Sequence, residues 1–423
     1  MKKTTSSHYS HYWKKALKEM LVCPEDTAVI FLDLGIVRDR LARIKNAFPD
    51  GSQHAVAIKT NPLMSILTFL AAEGVSLEAA SFVEVKMALR ALDGEGLRVV
   101  YDSPAKTQQE IDMLASQGQG MHINLNKLSE LLLYENYQDI FSLGLRINPV
   151  IDSDAFGYLS VSNIDSKFGE YIGNKSSIID AFYRYPALIG LHVHIGSSFL
   201  NFNASLRAIR SVLDLAQEIN DKLGQKKVSI IDIGGGFPVN YKDEDDTFEI
   251  SAYAQALEYE CKELWSGQYK VITEFGRYVH ANAGWAVSRI HSVFSNGENN
   301  TMVLHLGADM FLRACYNPGD WFHHMHIMTK DGILRDDESV LWNIGGPLCF
   351  GGDYIDMKRQ LPKCQPEDLI IISDVGANTF SLWSKHCSRQ FPKVIAYDSE
   401  ALHDELRVIK ERESVERAIE FWS

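Results

Sequence analysis

Residues 188–237 read LIGLHVHIGSSFLNFNASLRAIRSVLDLAQEINDKLGQKKVSIIDIGGGF. The segment opens with a short apolar run, Leu188–His194, which predicts a strand. Apolar residues then recur at helical spacing through Ala204–Leu223, and a second apolar run, Ser229–Ile233, leads directly into three glycines. A strand, a helix and a strand in this order predict two parallel strands joined by a helical crossover.

The same alternation of strands and helices extends over residues 40–285. The other predicted strands are His54–Ile58, Ser76–Ala79, Arg98–Val100, Gly120–Ile123, Leu143–Ile147 and Lys270–Thr273. The other predicted helices are Leu63–Ala72, Val83–Ala91, Gln108–Ser116 and Lys127–Tyr134. Eight strands with intervening helices predict an α/β fold built on a (β/α)8 TIM-like barrel. A doubly wound open sheet is the alternative, but no GxGxxG motif opens a helix after the first strand.

The pattern changes after residue 286, where short apolar runs follow one another without regular helices between them. The predicted strands there are Trp285–Val293, Thr301–Leu306, Ser339–Ile344 and Leu369–Ile372. The early run Ala28–Leu34 is a candidate strand of the same sheet domain. We therefore predict an N-terminal segment at 1–39, the barrel at 40–285 and a C-terminal β-rich domain at 286–423.

Composition limits the classes of partner that the chain can bind. The 423 residues are 46% hydrophobic and 23% charged, with a formal net charge of −13, so a nucleic-acid backbone is not the expected partner. The N-terminal lysines precede no apolar stretch, and the longest apolar run, Ala28–Val37, is interrupted by Asp33. Neither a secretory signal nor a membrane span is predicted, and the expected location is the cytoplasm.

The six cysteines show no CxxC spacing, so reduced thiols are expected. His323, His324 and His326 lie close together in the sequence, but no spaced carboxylate or cysteine accompanies them. No metal site is therefore predicted.

Polar residues that follow apolar strands are candidates for an active site, because the carboxyl ends of barrel strands meet at one rim. Lys59 ends the first barrel strand in the segment VAIKTNP, where burial is expected to lower its pKa and favour imine chemistry. On this segment alone, an ordinary lysine at a strand end is the simpler interpretation.

Two later segments offer groups for a planar, anionic ligand. In LHVHIGSS, His192 and His194 share one face of a strand, and Ser197 follows with a hydroxyl. Two buried histidines of the barrel interior are the alternative there. After Ile233, Gly234, Gly235 and Gly236 let the backbone approach a phosphate closely and point N–H groups at it.

The last barrel strand and the second domain add four further candidates. In VITEFGR, Glu274 can hold a proton on a ring nitrogen and Arg277 suits a phosphate, although an internal ion pair is the alternative. In GGPLCFGGD, Cys349 and Asp353 lie in a loop rich in glycine and proline. Taken alone, Cys349 is a weak signal, because cysteine is commonly a small buried residue.

Together these segments resemble the fold-type-III pyridoxal-phosphate decarboxylases, which include ornithine, arginine and diaminopimelate decarboxylases. The resemblance extends from about residue 30 to residue 400. It also includes Ala80-Ser81 with Glu84, the segment Arg146-Ile147-Asn148-Pro149 and the segment Ser166-Lys167-Phe168-Gly169. It implies an alanine racemase-like fold, a barrel followed by a β-barrel or β-sandwich domain, and a carboxy-lyase that acts on an amino acid or a close derivative.

The resemblance also implies roles for single residues. Lys59 would bind pyridoxal 5'-phosphate as a Schiff base, His194 would stack on its ring, and Glu274 would pair with the ring nitrogen. The phosphate would be held by Ser197, Gly234, Gly235, Gly236 and Arg277. Cys349 would donate a proton to the substrate carbon from the partner subunit of a head-to-tail homodimer, with Asp353 near the substrate end of the same loop.

Elementary chemistry agrees with these implied roles. Decarboxylation leaves two electrons on the Cα atom, and a protonated pyridine ring accepts them. A buried carboxylate keeps that ring protonated, and a thiol near its working pKa can return one proton to the carbon.

The sequence departs from the family pattern at places that bear on the substrate and the phosphate. Phe275 replaces the usual proline, and Phe350 stands where members that bind a second amino group often carry Asp or Glu. Asn378 replaces the tyrosine that meets the phosphate, and Arg313 best matches the arginine that holds a substrate carboxylate. We therefore predict an atypical substrate, with Arg313, Phe350 and Asp353 lining its site.

Two other functions remain open on the sequence. An amino-acid racemase on the same barrel needs a base on each face of Cα, and the Glu274 and Arg277 segment argues against it. A non-catalytic homologue would have lost its cofactor ligands, yet only Asn378 points towards such a loss.

Overall fold

The computed structural model describes residues 6–117, 120–151, 161–196, 202–242 and 249–423. The chain folds into two compact units. The barrel unit contains residues 38–239 and 246–279, and the β unit contains residues 1–37, 240–245 and 280–423.

Eighteen strands are present in the described residues. In chain order they are β1 Ala28–Asp33, β2 Gln53–Ala57, β3 Ser76–Ala79, β4 Val99–Asp102, β5 His122–Leu125, β6 Ser142–Asn148, β7 Glu170–Tyr171, β8 Leu188–His192, β9 Ile230–Asp232, β10 Lys270–Thr273, β11 Gly284–Asn296, β12 Asn299–Leu304, β13 Met325–Met328, β14 Ser339–Gly345, β15 Tyr354–Pro362, β16 Leu369–Ser373, β17 Lys393–Tyr397 and β18 Arg407–Lys410.

Eleven α-helices accompany them in the same part of the chain. They are α1 Ser6–Lys18, α2 Leu34–Ala47, α3 Met64–Ala72, α4 Phe82–Ala91, α5 Gln108–Gln117, α6 Lys175–Arg184, α7 Asn203–Leu223, α8 Ile250–Glu260, α9 Arg277–His280, α10 Leu312–Tyr316 and α11 Val415–Glu420. The predicted helix Lys127–Tyr134 is instead a 3-10 helix, Leu128–Tyr137. No described helix combines the length and the apolarity needed to cross a bilayer.

The barrel unit closes eight parallel strands into a ring. The pairing runs β5-β4-β3-β2-β10-β9-β8-β6, and a further β5–β6 pairing closes it, while β7 pairs with β6 outside the ring. All eight predicted strands are present, and the predicted (β/α)8 barrel is confirmed. Because every strand runs the same way, their carboxyl ends meet at one rim.

Side-chain alternation explains why that rim is polar inside. Ala55, Val100, Ile230 and Ile272 form a small apolar cluster in the barrel. Strand residues two positions apart share a face. The next residues on the inner face, two positions nearer the rim, are therefore acids. Asp102 follows Val100, Asp232 follows Ile230 and Glu274 follows Ile272.

The β unit is a nine-stranded sheet that the two ends of the chain build together. Its main path is β15-β14-β12-β11-β1-β17-β18, and β16 pairs with both β11 and β13. Strand β1 is antiparallel to β11 and parallel to β17. The predicted contribution of Ala28–Leu34 to this sheet is thus confirmed, while β13, β15, β17 and β18 were not predicted.

Helix α1 covers one face of this sheet with aromatic side chains. Tyr12 stacks on Tyr397 with ring centroids 3.7 Å apart, and Tyr9 donates to or accepts from Ser373 over 2.8 Å. The N-terminal helix and strand therefore belong to the core of the β unit.

Candidate active site

Lys59 lies just past strand β2, in a single 3-10 turn formed by Ile58–Thr60. Its Nζ atom donates to both oxygens of Glu78, at 3.1 and 3.0 Å. Glu78 lies in strand β3 beside it and is completely buried. The Lys59 side chain keeps 48% of its surface accessible, so a ligand can reach the amine.

The pKa of Lys59 is raised, which contradicts the expectation that burial lowers it. Burial does lower the pKa, but the carboxylates of Glu78, Glu274 and Asp102 together outweigh burial. Burial in turn raises the pKa of Glu78, although Lys59 opposes that change. The direction differs from the expectation because Glu78 and Asp102 were not predicted to lie near the amine.

Glu274 follows strand β10 on the inner face and is buried. Burial raises its pKa well above the usual range, and Asp232, Glu78 and Asp102 add to the rise. Its Oε1 atom is buried and has no hydrogen-bond partner among the described residues. A protonatable carboxyl group with an unused oxygen suits a basic ring nitrogen of a ligand.

The glycine loop after strand β9 packs its backbone directly against the chain of Glu274. The amide of Glu274 donates to the carbonyl of Gly234 over 2.7 Å. A Cβ atom on Gly235 would lie 2.3 Å from the Glu274 carbonyl oxygen, and Gly234 has a φ of +68°. Only glycine fits this close approach without moving the peptide of Glu274.

His194 is held by the same loop. The amide of Gly235 donates to His194 Nδ1 over 3.0 Å, which leaves Nε2 as the protonated nitrogen. Burial, followed by the charges of Arg146 and Lys59, lowers the pKa of His194 well below its usual value. A neutral imidazole is thereby fixed in orientation beside the glycine loop, as stacking on a planar ring requires.

The remaining predicted barrel ligands are Arg277 and Ser197. Arg277 is buried and begins the short helix α9 after strand β10. Ser197 lies outside the described residues. The barrel unit thus brings Lys59, His194, the glycine loop and Glu274 together at one rim.

The other predicted residues belong to the β unit. Cys349 is exposed in the loop between strands β14 and β15. The buried carboxylate of Asp353 accepts from the amides of Ala308, over 2.6 Å, and Leu348, over 2.7 Å. Both oxygens therefore stabilise the conformation of the loop that carries Cys349, and a contact of Asp353 with the substrate stays a prediction.

Arg313 and Asn378 line a small cavity of the β unit together with Tyr241, Trp321 and His323. The Arg313 guanidinium lies over the Trp321 ring, 4.8 Å from its centroid. Asn378 has a φ of +53°, a conformation that asparagine tolerates better than most residues. These two predicted ligands share one cavity in this unit.

The barrel rim has the groups that pyridoxal phosphate needs. It offers an accessible amine for covalent attachment, a neutral histidine for the ring face, and a protonatable carboxyl group with an unused oxygen for the ring nitrogen. It also offers a glycine loop whose backbone has no room for a side chain. A parallel (β/α)8 barrel with this set at its carboxyl rim defines a class of pyridoxal-phosphate enzymes.

Comparison with known proteins agrees with that class. A family model of the pyridoxal-dependent decarboxylases, for their pyridoxal binding domain, matches residues 34–281. The chain therefore belongs to the pyridoxal-dependent decarboxylases and is an amino-acid carboxy-lyase that uses pyridoxal phosphate.

Relatives cover nearly the whole chain at low identity. Diaminopimelate decarboxylase of Campylobacter jejuni subsp. jejuni is 27% identical over 405 residues, which span 93% of this chain and 95% of that protein. The crystal structure of Helicobacter pylori diaminopimelate decarboxylase with L-lysine is 26% identical, with a TM-score of 0.83 over 96% of this chain and 99% of that chain. Lysine/ornithine decarboxylase from Vibrio vulnificus, at 22% identity and a TM-score of 0.78, covers 93% and 99% and shares the fold.

Two further acids of the site, Glu78 in strand β3 and Asp102 at the end of strand β4, were not among the predicted site residues. Each is the first charged residue after an apolar run, in SLEA and VVYD. The signal that indicates Glu274, an acid beside an apolar run, is therefore present in both segments.

We expect Gly235→Ala to weaken binding of pyridoxal phosphate by about ten- to a hundredfold, which corresponds to the roughly 1–3 kcal/mol that a strained backbone costs. The new Cβ atom would displace the peptide that carries Glu274. Titration of the visible absorbance band of the bound cofactor measures the affinity. Gly351→Ala is the control, because a Cβ atom there meets nothing within 4 Å. Equal affinities for both variants would contradict this account of the loop.

We expect Glu78→Gln to lower the pKa of Lys59, because one of the charges that stabilise the ammonium is removed. More of the amine is then neutral at a given pH. The rate at which pyridoxal phosphate is captured should begin to rise about one pH unit lower. Stopped-flow absorbance across pH measures this, with Glu130→Gln as a control that alters the Lys106 ion pair instead. An unchanged profile would show that Glu78 does not control the amine.

Proposed function

We propose that the enzyme removes the carboxylate of an amino acid whose side chain does not end in an amino group. Lys59 is the residue to which pyridoxal phosphate attaches, and the accessible amine held between carboxylates is the observation that carries this assignment. Substrate choice is assigned to the loop that carries Cys349 and Phe350.

The cofactor supplies an electron sink for the pair of electrons that decarboxylation leaves on Cα. In our proposal Glu274 keeps the ring nitrogen protonated, because a carboxylate opposite that nitrogen stabilises its positive charge. His194 covers one face of the ring in its neutral form, and the amides near Gly234 and Gly236, with Arg277, receive the phosphate. Ser197 is retained as a further phosphate ligand, and Asn378 as a weaker one than tyrosine.

Protonation of the product is assigned to Cys349. Its loop is exposed, and Asp353 fixes the loop through two backbone amides. In the homodimer that we propose, the partner subunit's Cys349 delivers the proton to the substrate carbon. The cysteine then needs to reach a site on a second copy of the chain, which an exposed and internally braced loop allows.

Phe350 supports an atypical substrate. Its ring stacks on Tyr316, with centroids 5.3 Å apart and planes inclined by 17°, and Tyr316 is 60% exposed. Two stacked rings next to Cys349 offer an apolar surface where a carboxylate would be needed for a terminal ammonium group. We therefore propose an apolar or aromatic substrate side chain, with Arg313 receiving a second carboxylate if the substrate carries one.

A cytoplasmic location is proposed on the basis of the six cysteines, since all six are free in the structure. Reduced thiols are typical of cytoplasmic proteins.

We expect amino acids with apolar or aromatic side chains to release CO2 faster than ornithine, lysine or diaminopimelate. Phe350→Glu should reverse this order, because the new carboxylate can pair with a terminal ammonium group. Release of CO2 from a panel of L- and D-amino acids measures the order, and Lys59→Ala, which should abolish both activity and the cofactor band, is the blank. A wild-type enzyme that prefers diamino substrates would overturn the proposed substrate class.

We expect Cys349→Ala to slow turnover by about a hundredfold or more, since a positioned general acid contributes roughly that much. When the reaction is run in deuterium oxide, the product of this variant should also carry deuterium at the former Cα atom with loss of stereochemical purity. Cys387→Ala, at another exposed cysteine, is the control. A Cys349→Ala enzyme with full rate and stereochemically pure product would remove Cys349 from the mechanism.

A further inference from the structure

Asp102 and His192 form a buried pair behind Glu274 that the roles proposed above do not use. Asp102 ends strand β4 and His192 ends strand β8, and strands β5 and β6 lie between these two in the ring. His192 Nδ1 lies 4.0 Å from Asp102 Oδ2, and His192 Nε2 lies 3.6 Å from Glu274 Oε2. The imidazole therefore stands between two carboxylates and faces each with a different nitrogen.

Arg146 anchors the far end of this arrangement. Its Nη1 atom donates to Asp102 Oδ2 over 3.0 Å, and both side chains are buried. Its guanidinium also lies over the Phe168 ring, 4.5 Å from the centroid. Arg146, Asp102, His192 and Glu274 thus form one line of charged and polar groups inside the barrel that ends at the carboxyl group of Glu274.

Several other charged groups face this line from the neighbouring strands. The groups around it are Lys59 after β2, Glu78 on β3, Lys106 after β4, His194 after β8 and Asp232 on β9. Asp232 is held by Asn124 Nδ2 and the Gly234 amide, both at 2.9 Å. The acids outnumber the fixed cations nearest to them, so a proton placed among the carboxylates is stabilised.

Apart from the Asp102 oxygen that accepts from Arg146, the side-chain polar atoms of the pair make no hydrogen bond within the described part of the chain. Both ring nitrogens of His192 and the Oδ1 atom of Asp102 are buried without a hydrogen-bond partner among the described residues. His192 is completely buried. Burying a polar group without a hydrogen bond lowers the stability of the folded protein. Such a group in a native structure therefore calls for a functional explanation.

We propose that Asp102 and His192 are positioning residues that act through Glu274 and set how firmly the ring nitrogen of bound pyridoxal phosphate holds its proton. Asp102 supplies the charge, and the imidazole of His192, which lies between the two carboxylates, transmits it to Glu274 by polarisation. This inference rests on the assignment of Glu274 to the ring nitrogen in the proposed function.

The charges around Asp102 and Glu274 shift the two pKa values in the directions that this role requires. Arg146 and His192, with Lys59 and Lys106, lower the pKa of Asp102 despite its burial, so Asp102 is ionised. Ionised Asp102 is one of the groups that raise the pKa of Glu274. Removing the Asp102 charge should therefore loosen the proton shared by Glu274 and the ring.

A metal ion is the other occupant that such a cluster suggests. Ligand atoms of Asp102, His192 and Glu274 lie within 4.8 Å of one another. The Arg146 guanidinium, however, already neutralises Asp102 at 3.0 Å, and the ammonium of Lys59 stabilises the carboxylates nearby. A further dication would be repelled by both cations, so we assign the cluster to proton chemistry.

The test follows the ring nitrogen itself rather than activity. Pyridoxal phosphate with an isotope label at its ring nitrogen is bound to the holoenzyme, and NMR records the nitrogen shift against pH. In Asp102→Asn the protonation midpoint should fall by about one pH unit relative to wild type. His54→Gln is the matched control, because His54 is also a buried barrel histidine but pairs with Thr273 and interacts with Lys45 rather than with this line, and it should leave the midpoint unchanged.

Two further variants separate charge transmission from simple packing. Asp102→Glu keeps the charge and should keep a midpoint near that of wild type, even if the affinity for the cofactor falls. In a His192→Gln background, Asp102→Asn should move the midpoint by less than half as much as it does alone. Equal shifts in both backgrounds, or no shift in Asp102→Asn, would overturn the inference.

The same measurement distinguishes this inference from the proposed function. A wild-type protein that binds no labelled cofactor at Lys59 rejects the proposed site. A bound cofactor whose ring nitrogen titrates identically in wild type and Asp102→Asn rejects only the role of Asp102 and His192.

Discussion

The crowding of carboxylates around one amine is the constraint on which the active site depends. Glu78, Asp102 and Glu274 all approach the Lys59 ammonium inside the barrel, where charges are poorly screened. A single lysine cannot neutralise them all, so Glu274 tends to keep a proton and Asp102 takes Arg146 as a second cation. The protonation state of each group therefore depends on the charges of all the others.

Much of the fold could be predicted because apolar runs and strand length are local signals. The eight barrel strands and the N-terminal strand of the sheet were found in this way, whereas β13, β15, β17 and β18 were not. Strand β15 has mixed burial along its length, so alternation does not stand out, and β17 is a run of five buried residues that periodicity cannot distinguish from a helix.

The candidate site was only partly predictable for a different reason. Lys59, His194 and Glu274 stand out because each ends an apolar run, but their electrostatics depend on neighbours that are distant in sequence. The direction of the Lys59 pKa shift depends on the 3.0 Å contact with Glu78. The part that Asp353 plays in holding its loop depends on the amides of Ala308 and Leu348. Such contacts arise only once the strands are in register.

The sheet of the β unit has a consequence for how the chain is made. Strand β1 lies between β11 and β17, so during synthesis it gains its first neighbour only after the last barrel strand and its second only after strand β16. The barrel strands are complete by residue 273 and can fold as a unit before then. The apolar strand Ala28–Asp33 therefore stays without its sheet neighbours while the barrel strands are being made, and an unpaired apolar strand is prone to aggregation during that interval.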